Sequence, residues 1–265
     1  MIRGLYTAAT GMNAMQHQID VTSNNIANVN TTGFKKDRAE FQDLIYETLN
    51  YTAGQTTQTT LNPTGIDVGL GVRISNIQKD FTEGDLKTTG GRLDIAIAGE
   101  GFFQITLPSG EIAYSRNGNF KLNNEGTIVN GNGYPLEPEI VVPDNVKDLT
   151  DLTIGTDGLV TAKDSQTGDT IELGQIILAD FINPAGLTPL GDSLFMESEA
   201  SGNVIQGEPT TEQFGSLKQG MIESSNVKLV NEMVDLITAQ RAYEANSKAI
   251  TTADNMLDIV NRLKS

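Results

Sequence analysis

The chain has 265 residues, 18 basic against 34 acidic, a formal charge of −16, no Cys, no Trp and a single histidine, His17. Such acidity argues against gripping nucleic acid, whose affinity rests on Lys and Arg displacing counterions, and against an anionic membrane surface. The missing Cys excludes disulfides, thiolate metal sites and cysteine nucleophiles, and one His excludes His–His metal sites.

The length allows one large or two modest domains with a proper core. No apolar run approaches the roughly 18 residues of a membrane span, so no membrane insertion is expected. Residues 1–7 carry one positive charge and no apolar stretch, which does not make a Sec-type signal. Export, where it occurs, is expected to use another route.

Charge and helix breakers divide the chain in the same way. Residues 1–36 are net +2 and 226–265 are neutral, while 37–225 hold 10 basic against 28 acidic residues. All 8 prolines lie between Pro63 and Pro209, so two breaker-poor ends flank an acidic, turn-rich centre.

From the N-terminus, Ile2, Leu5, Ala9, Met12, Gln16, Ile19, Ser23 and Ile26 recur at helical spacing, which predicts a helix over 2–28, roughly 40 Å long. Gly33 lies downstream as a stop. Asn50–Thr64, rich in Thr, Gln and Asn, predicts an extended loop or hairpin.

The centre alternates short β-rich runs with turn dipeptides such as Asn117-Gly118, Asn130-Gly131 and Asp157-Gly158. Strands are expected within Asp94–Ile105, Gly126–Val129, Leu152–Thr161 and Thr170–Phe181.

At the C-terminus Leu229, Leu236, Tyr243, Ile250 and Leu257 recur every seven residues, a coiled-coil spacing, and predict a helix over 226–262, roughly 55 Å long. Asn226 or Ser225 is its expected N-cap. The companion line is read as Met233, Gln240, Ser247 and Asp254. The fold class expected is α+β: two long terminal helices forming a coiled-coil-like pair, flanking an extended linker and a central all-β domain. The boundaries are 1–30 with 226–265, then 31–72, then 73–225.

Catalytic motifs are poorly represented. Gly69-Leu70-Gly71 and Gly131-Asn132-Gly133 lack the third glycine of a dinucleotide fingerprint and open no helix. Asp164-Ser165-Gln166-Thr167-Gly168 begins like a calcium loop but fails at its second and third ligand positions, and reads as a turn. His17 sits between two glutamines as a surface or interface residue. Glu137 and Glu139 are the only acidic pair singled out, as a guess at the carboxylates of a secreted acidic β-rich hydrolase; solvated surface acids are the competing reading. No catalytic residue, cofactor or metal is assigned.

One segment is sharper than helix-end chemistry requires: Ser23-Asn24-Asn25-Ile26-Ala27-Asn28-Val29-Asn30-Thr31-Thr32-Gly33-Phe34-Lys35-Lys36. It closely resembles the N-terminal signature of the bacterial flagellar rod and hook axial proteins. Glu223-Ser224-Ser225-Asn226-Val227 through Gln240-Arg241-Ala242-Tyr243-Glu244-Ala245-Asn246 resembles the C-terminal hallmark of that family. Asp94-Ile95-Ala96-Ile97, Gly101-Phe102-Phe103 and Tyr114-Ser115-Arg116-Asn117-Gly118 resemble its shared central domain. Length and the Tyr46–Arg73 stretch look most like the distal-rod branch, with proximal rod and hook members as the near alternatives.

The resemblance implies a non-enzymatic subunit that stacks helically into a drive-shaft and leaves the cell by the flagellar type III route. Its implied partners are copies of itself, other rod proteins, the hook protein and any surrounding rings. Asn24, Asn25, Asn28, Asn30, Gly33 and Phe34 carry the signature. The polymer interface is expected at Leu5, Met12, Ile19 and Ile26 opposite Leu229, Met233, Leu236, Tyr243, Ile250 and Leu257. Narrow apolar seams at both ends need neighbours to bury them, and a heterologous, non-closing contact yields a helical polymer.

Overall fold

The computed structural model describes residues 2–50, 55–57, 60–61, 66–143, 152–163, 169–211 and 213–264. Both terminal periodicities become helices, α1 (Ile2–Ala27) and α2 (Leu229–Lys264), with strands between them, so the class is α+β. The chain forms two compact units. Unit 1 holds 1–26, 37–78 and 228–265; unit 2 holds 27–36 and 79–227. The expected linker 31–72 is not a body of its own: its first residues join the β-rich unit and the rest joins the helices.

In unit 1, α1 and α2 run antiparallel. Asn25 Nδ2 donates to Glu232 Oε2 at 3.2 Å. Fourteen residues back along α1, a Cβ on Gly11 would stand 2.9 Å from Asn246 Nδ2, fourteen residues forward along α2. The missing side chain of Gly11 thus admits the amide of Asn246. Leu236, Ile250 and Leu257 are half-buried along the α2 seam. Their companions are Glu232, Ala239, Asn246 and Ala253 rather than the expected Met233, Gln240, Ser247 and Asp254, of which Met233, Gln240 and Asp254 are exposed. Heptad spacing leaves open whether the companion lies three or four residues away; the burial of Glu232 and Ala239 places it three residues on.

The expected N-cap is also corrected. α2 begins at Leu229, Glu232 N–H donates to the Lys228 carbonyl at 3.1 Å, and Asn226 spends its amide elsewhere. Glu232 in the first turn complements the helix dipole.

The other side of α1 meets the ribbon built from 37–79. Strand Asp37–Asp43 pairs with Val72–Lys79, and Tyr46–Asn50 pairs antiparallel with Ile66–Gly69. The Thr/Gln-rich stretch between them forms a hairpin of Gln55–Thr57 with Thr60–Leu61, while 51–54, 58–59 and 62–65 lie outside the described residues. Val72 N–H donates to Thr10 Oγ1 at 3.4 Å, tying the ribbon to α1.

Unit 2 is built on one antiparallel sheet. Its order is Thr188–Gly191, Leu194–Met196, Ile112–Ser115, Phe102–Thr106, Leu178–Asp180, Ile205–Gly207, with Leu136–Glu137 also pairing with Phe102–Thr106. Ile95, Ile97, Phe103, Ile128, Leu136, Val160, Ile176 and Leu178 belong to its larger core cluster. Phe102, Tyr114, Phe181 and Phe195 form another, with edge-to-face rings.

The expected strands are shorter than predicted. Asp94–Ile105 is broken into Ile95–Ala98 and Phe102–Thr106, because Gly99 and Gly101 take φ of 114° and 123°. Leu152–Thr161 divides at Asp157-Gly158 into a hairpin, and Thr170–Phe181 divides into Thr170–Gln175 and Leu178–Asp180. The 164–168 turn lies outside the described residues. Strands Ser216–Gln219 and Met221–Glu223 pair with Ile95–Ala98 and Leu86–Thr88, bringing the chain back beside the start of unit 2.

Candidate functional site

The signature residues fall into two working groups. In unit 1, Asn25 is buried and bonds the backbone of Asp37 twice: its Nδ2 donates to the Asp37 carbonyl and its Oδ1 accepts the Asp37 N–H, both at 2.9 Å. Its amide thus acts as a strand neighbour for the residue that opens the ribbon. Asn24 Nδ2 adds a bond to Asp37 Oδ2 at 3.2 Å.

The remaining signature residues lie in unit 2. Asn28 closes the turn after α1, its carbonyl accepting Thr31 N–H and its Oδ1 accepting the Thr31 hydroxyl. Asn30 is exposed in that turn. Gly33 has φ 67°, donates its N–H to the Glu223 carbonyl at 2.9 Å, and presses so close that a Cβ would stand 2.6 Å from Asn117 N. Phe34 is half-buried, with Lys79 Nζ 5.2 Å from its ring centroid.

The three segments that carry the family resemblance are brought together here. Lys35 and Glu223, each 1% exposed, form an ion pair at 2.6 Å. Lys35 Nζ also donates to the Thr82 carbonyl at 2.7 Å, and Gly84 N–H donates to Glu223 Oε1 at 2.9 Å. Arg116 Nη1 lies 3.5 Å from Glu223 Oε2 and donates to the Gly99 carbonyl at 2.8 Å, with the guanidinium 5.2 Å from the Phe102 ring. One carboxylate therefore serves two cations. Desolvation pushes both Lys35 and Arg116 below their ordinary values in spite of the Glu223 charge.

Asn226 completes the junction. Its Oδ1 accepts Lys36 N–H at 2.9 Å, and its Nδ2 donates to the carbonyls of Asp80 and Thr82. Segments around 35, 81, 116 and 224 are thus stapled through Lys35, Arg116, Glu223 and Asn226. Sequence reading quoted these four residues without giving any of them this role. The available signal was their polarity: Lys35, Arg116, Glu223 and Asn226 are polar residues beside the apolar and small residues of the hallmark runs.

The residues expected at a polymer interface divide by exposure. Leu5, Met12, Ile19 and Ile26 are half-buried on α1, as are Leu236, Ile250 and Leu257 on α2, whereas Leu229, Met233 and Tyr243 are exposed. Sequence reading missed the stronger exposed stripe: Val230 (73%), Val234 and Ile237 join Met233 at helical spacing on the side of α2 turned away from its seam with α1. Met256, Ile259 and Val260 form a second exposed group near the far end.

The guessed acidic pair is engaged residue by residue: Glu137 Oε2 accepts the Thr106 hydroxyl at 2.9 Å and Glu139 Oε1 the Thr127 hydroxyl at 3.3 Å. His17 is exposed on α1. No described helix is long and apolar enough to cross a membrane.

Three family descriptions match. Residues 5–35 match "Flagella basal body rod protein", 96–162 match "Flagellar hook protein FlgE/F/G D1 domain", and 218–263 match "Flagellar basal body rod FlgEFG protein C-terminal". Relatives of matching length carry the name flagellar basal-body rod protein FlgG. The one from Borreliella burgdorferi is 48% identical, covering 100% of this chain and 99% of its own. That from Agrobacterium fabrum is 47% identical, covering 98% and 99%. That from Caulobacter vibrioides is 46% identical, covering 100% of both.

Proposed function

This chain belongs to the flagellar basal-body rod protein family and is a structural subunit of the distal rod, and from that premise we propose that it polymerises helically through its terminal helices to carry torque toward the hook. It assembles into the basal-body rod with other flagellar proteins. In our reading those neighbours are copies of itself, adjoining rod proteins, the hook protein and surrounding rings, and the chain reaches the envelope through the flagellar type III channel. It performs no catalysis.

The observation that carries this reading is the exposed stripe Val230, Met233, Val234 and Ile237 on α2. Burying a side chain of that size contributes about 1.5–3 kcal/mol, so a helix that leaves four in water on one face gains by meeting another surface. In this reading the half-buried Leu5, Met12, Ile19, Ile26, Leu236, Ile250 and Leu257, the last three on the seam between the two helices, and the exposed Leu229 and Tyr243 add a second contact surface apart from the stripe. In our reading the contact joins unlike patches with a rotation that does not close, which gives a helical shaft.

Electron microscopy of concentrated full-length protein, beside chains trimmed of 1–30 or of 226–265, tests the proposal. Full-length protein should form rods and both trimmed chains should not. Rods built by a chain lacking 226–265 would overturn it.

A further inference from the structure

Between strands Asp37–Asp43 and Tyr46–Asn50 of unit 1 the chain turns a corner at Leu44-Ile45, and Ile45 is 81% exposed. This corner is fixed. Leu44 N–H donates to the Gly71 carbonyl at 2.8 Å and Leu70 N–H to the Ile45 carbonyl at 3.3 Å. Tyr46, 57% exposed, lays its ring beside Gly69, 3.3 Å from where a Cβ would stand. Asp43 and Glu47 flank it. Glu47 is paired with Arg3 at 2.7 Å, which leaves Asp43 as the acidic neighbour of a fixed apolar knob held out in water.

Unit 2 carries a hollow with an apolar lining. A cavity of about 290 Å³ is lined by Phe34, Phe195, Leu194 and Pro189, with Lys79 and Asp192 also on its wall. The Lys79 ammonium over the Phe34 ring places a positive charge beside the apolar floor. That charge is uncommon in its surroundings, since unit 2 carries 10 basic against 23 acidic residues. An approaching surface that is apolar at its tip and carries one carboxylate beside it, that of Asp43, suits this cavity better than it suits the rest of the unit.

We propose that the Ile45 corner of one copy seats in the Phe34–Phe195 cavity of a second copy, with Asp43 of the entering copy facing Lys79 of the receiving one. The proposal rests on the polymer reading above and adds a specific contact to it. Knob and cavity are different patches, and each copy carries both. Repetition with a rotation that does not close therefore gives an open series. The ion pair at the mouth sets the register of entry, and the isoleucine supplies the apolar contact.

A chain without Cys makes the test direct, because introduced cysteines have no native competitors. The double variant Ile45→Cys with Pro189→Cys is produced in place of the native chain. Basal bodies are isolated, rods are counted by electron microscopy, and the preparation is oxidised and run without reductant. A ladder of dimers and higher oligomers is expected from the double variant and none from either single variant. Intact rods without a ladder, or a link from position 45 to a different protein, overturn the contact while leaving the polymer reading in place. Failure of the native chain to form rods at all would instead remove the polymer reading.

Charge exchange covers the case in which the cysteine pair builds no rods. Lys79→Glu should lower the rod count at least tenfold, and adding Asp43→Lys should restore it to within twofold. An unrestored double exchange overturns the contact.

Discussion

Among the described residues, Glu223 forms ion pairs with both Lys35 and Arg116. Removing one member of a buried pair strands the other charge, at about 3–5 kcal/mol. Glu223→Gln strands two cations, whereas Lys35→Met leaves Glu223 with Arg116. Urea unfolding should therefore show the larger loss for Glu223→Gln, and equal losses would refute this division of roles. Asp80 gives a pH-dependent counterpart. Burial by itself would raise its carboxyl, but the Thr82 N–H and hydroxyl and the Lys36 ammonium outweigh burial and hold it below the ordinary aspartate value of 3.8. Its folded pKa is depressed, so its stabilisation is complete above pH 3.8 and is lost as pH falls through the folded value. The stability difference between the native chain and Asp80→Asn should be flat above that pH and shrink below it; a difference that grows in acid would contradict the assignment. Gly33 was legible as a stop from its place after the helix. That it must also let Asn117 and Glu223 approach was not, since that need comes from residues far along the chain.

At the scale of elements, the two helices were readable because each carries its own apolar period, and that period survives whatever the helix packs against. Their partner lines were not readable to the same depth. The seven-residue repeat fixed Leu236, Ile250 and Leu257 on one side, but its companions are Ala239, Asn246 and Ala253, with Asn246 admitted by the room that Gly11 leaves. Asn226, a good N-cap by type, instead staples Lys36 to Asp80 and Thr82, because tertiary acceptors lie within its reach. The outward stripe of α2 gives the prediction that belongs here. Ile237→Glu lies on an exposed face and should change monomer stability by no more than about 0.5 kcal/mol. The same substitution places a charge in the proposed contact and should abolish rod formation, as seen by electron microscopy beside thermal unfolding of the monomer. Normal rods from this variant would exclude that face from the contact.

For the molecule as a whole, charge is divided unevenly: unit 1 has 8 basic against 11 acidic residues and unit 2 has 10 against 23. Copies that come together must bring acidic surfaces closer, and salt screens that repulsion, the Debye length falling from about 30 Å at 0.01 M to about 8 Å at 0.15 M. The concentration at which rods appear, followed by light scattering, should fall over that range; a rise would mean that attraction between opposite charges dominates the contact. The sequence alone determined the α+β class, the helical ends and the acidic, turn-rich centre, because composition and period are local properties that each segment carries with it. It also carried the family, through runs of adjacent residues. Only the tertiary structure decided that Gly33 and Lys35, Arg116, and Glu223 and Asn226 form one junction, that 37–78 belongs with the helices, and that Ile45 stands in water beyond a fixed corner. Those outcomes depend on groups up to 190 residues apart in the chain reaching hydrogen-bonding distance. No local pattern encodes such a meeting; it follows from burying the unit's core with every strand in register.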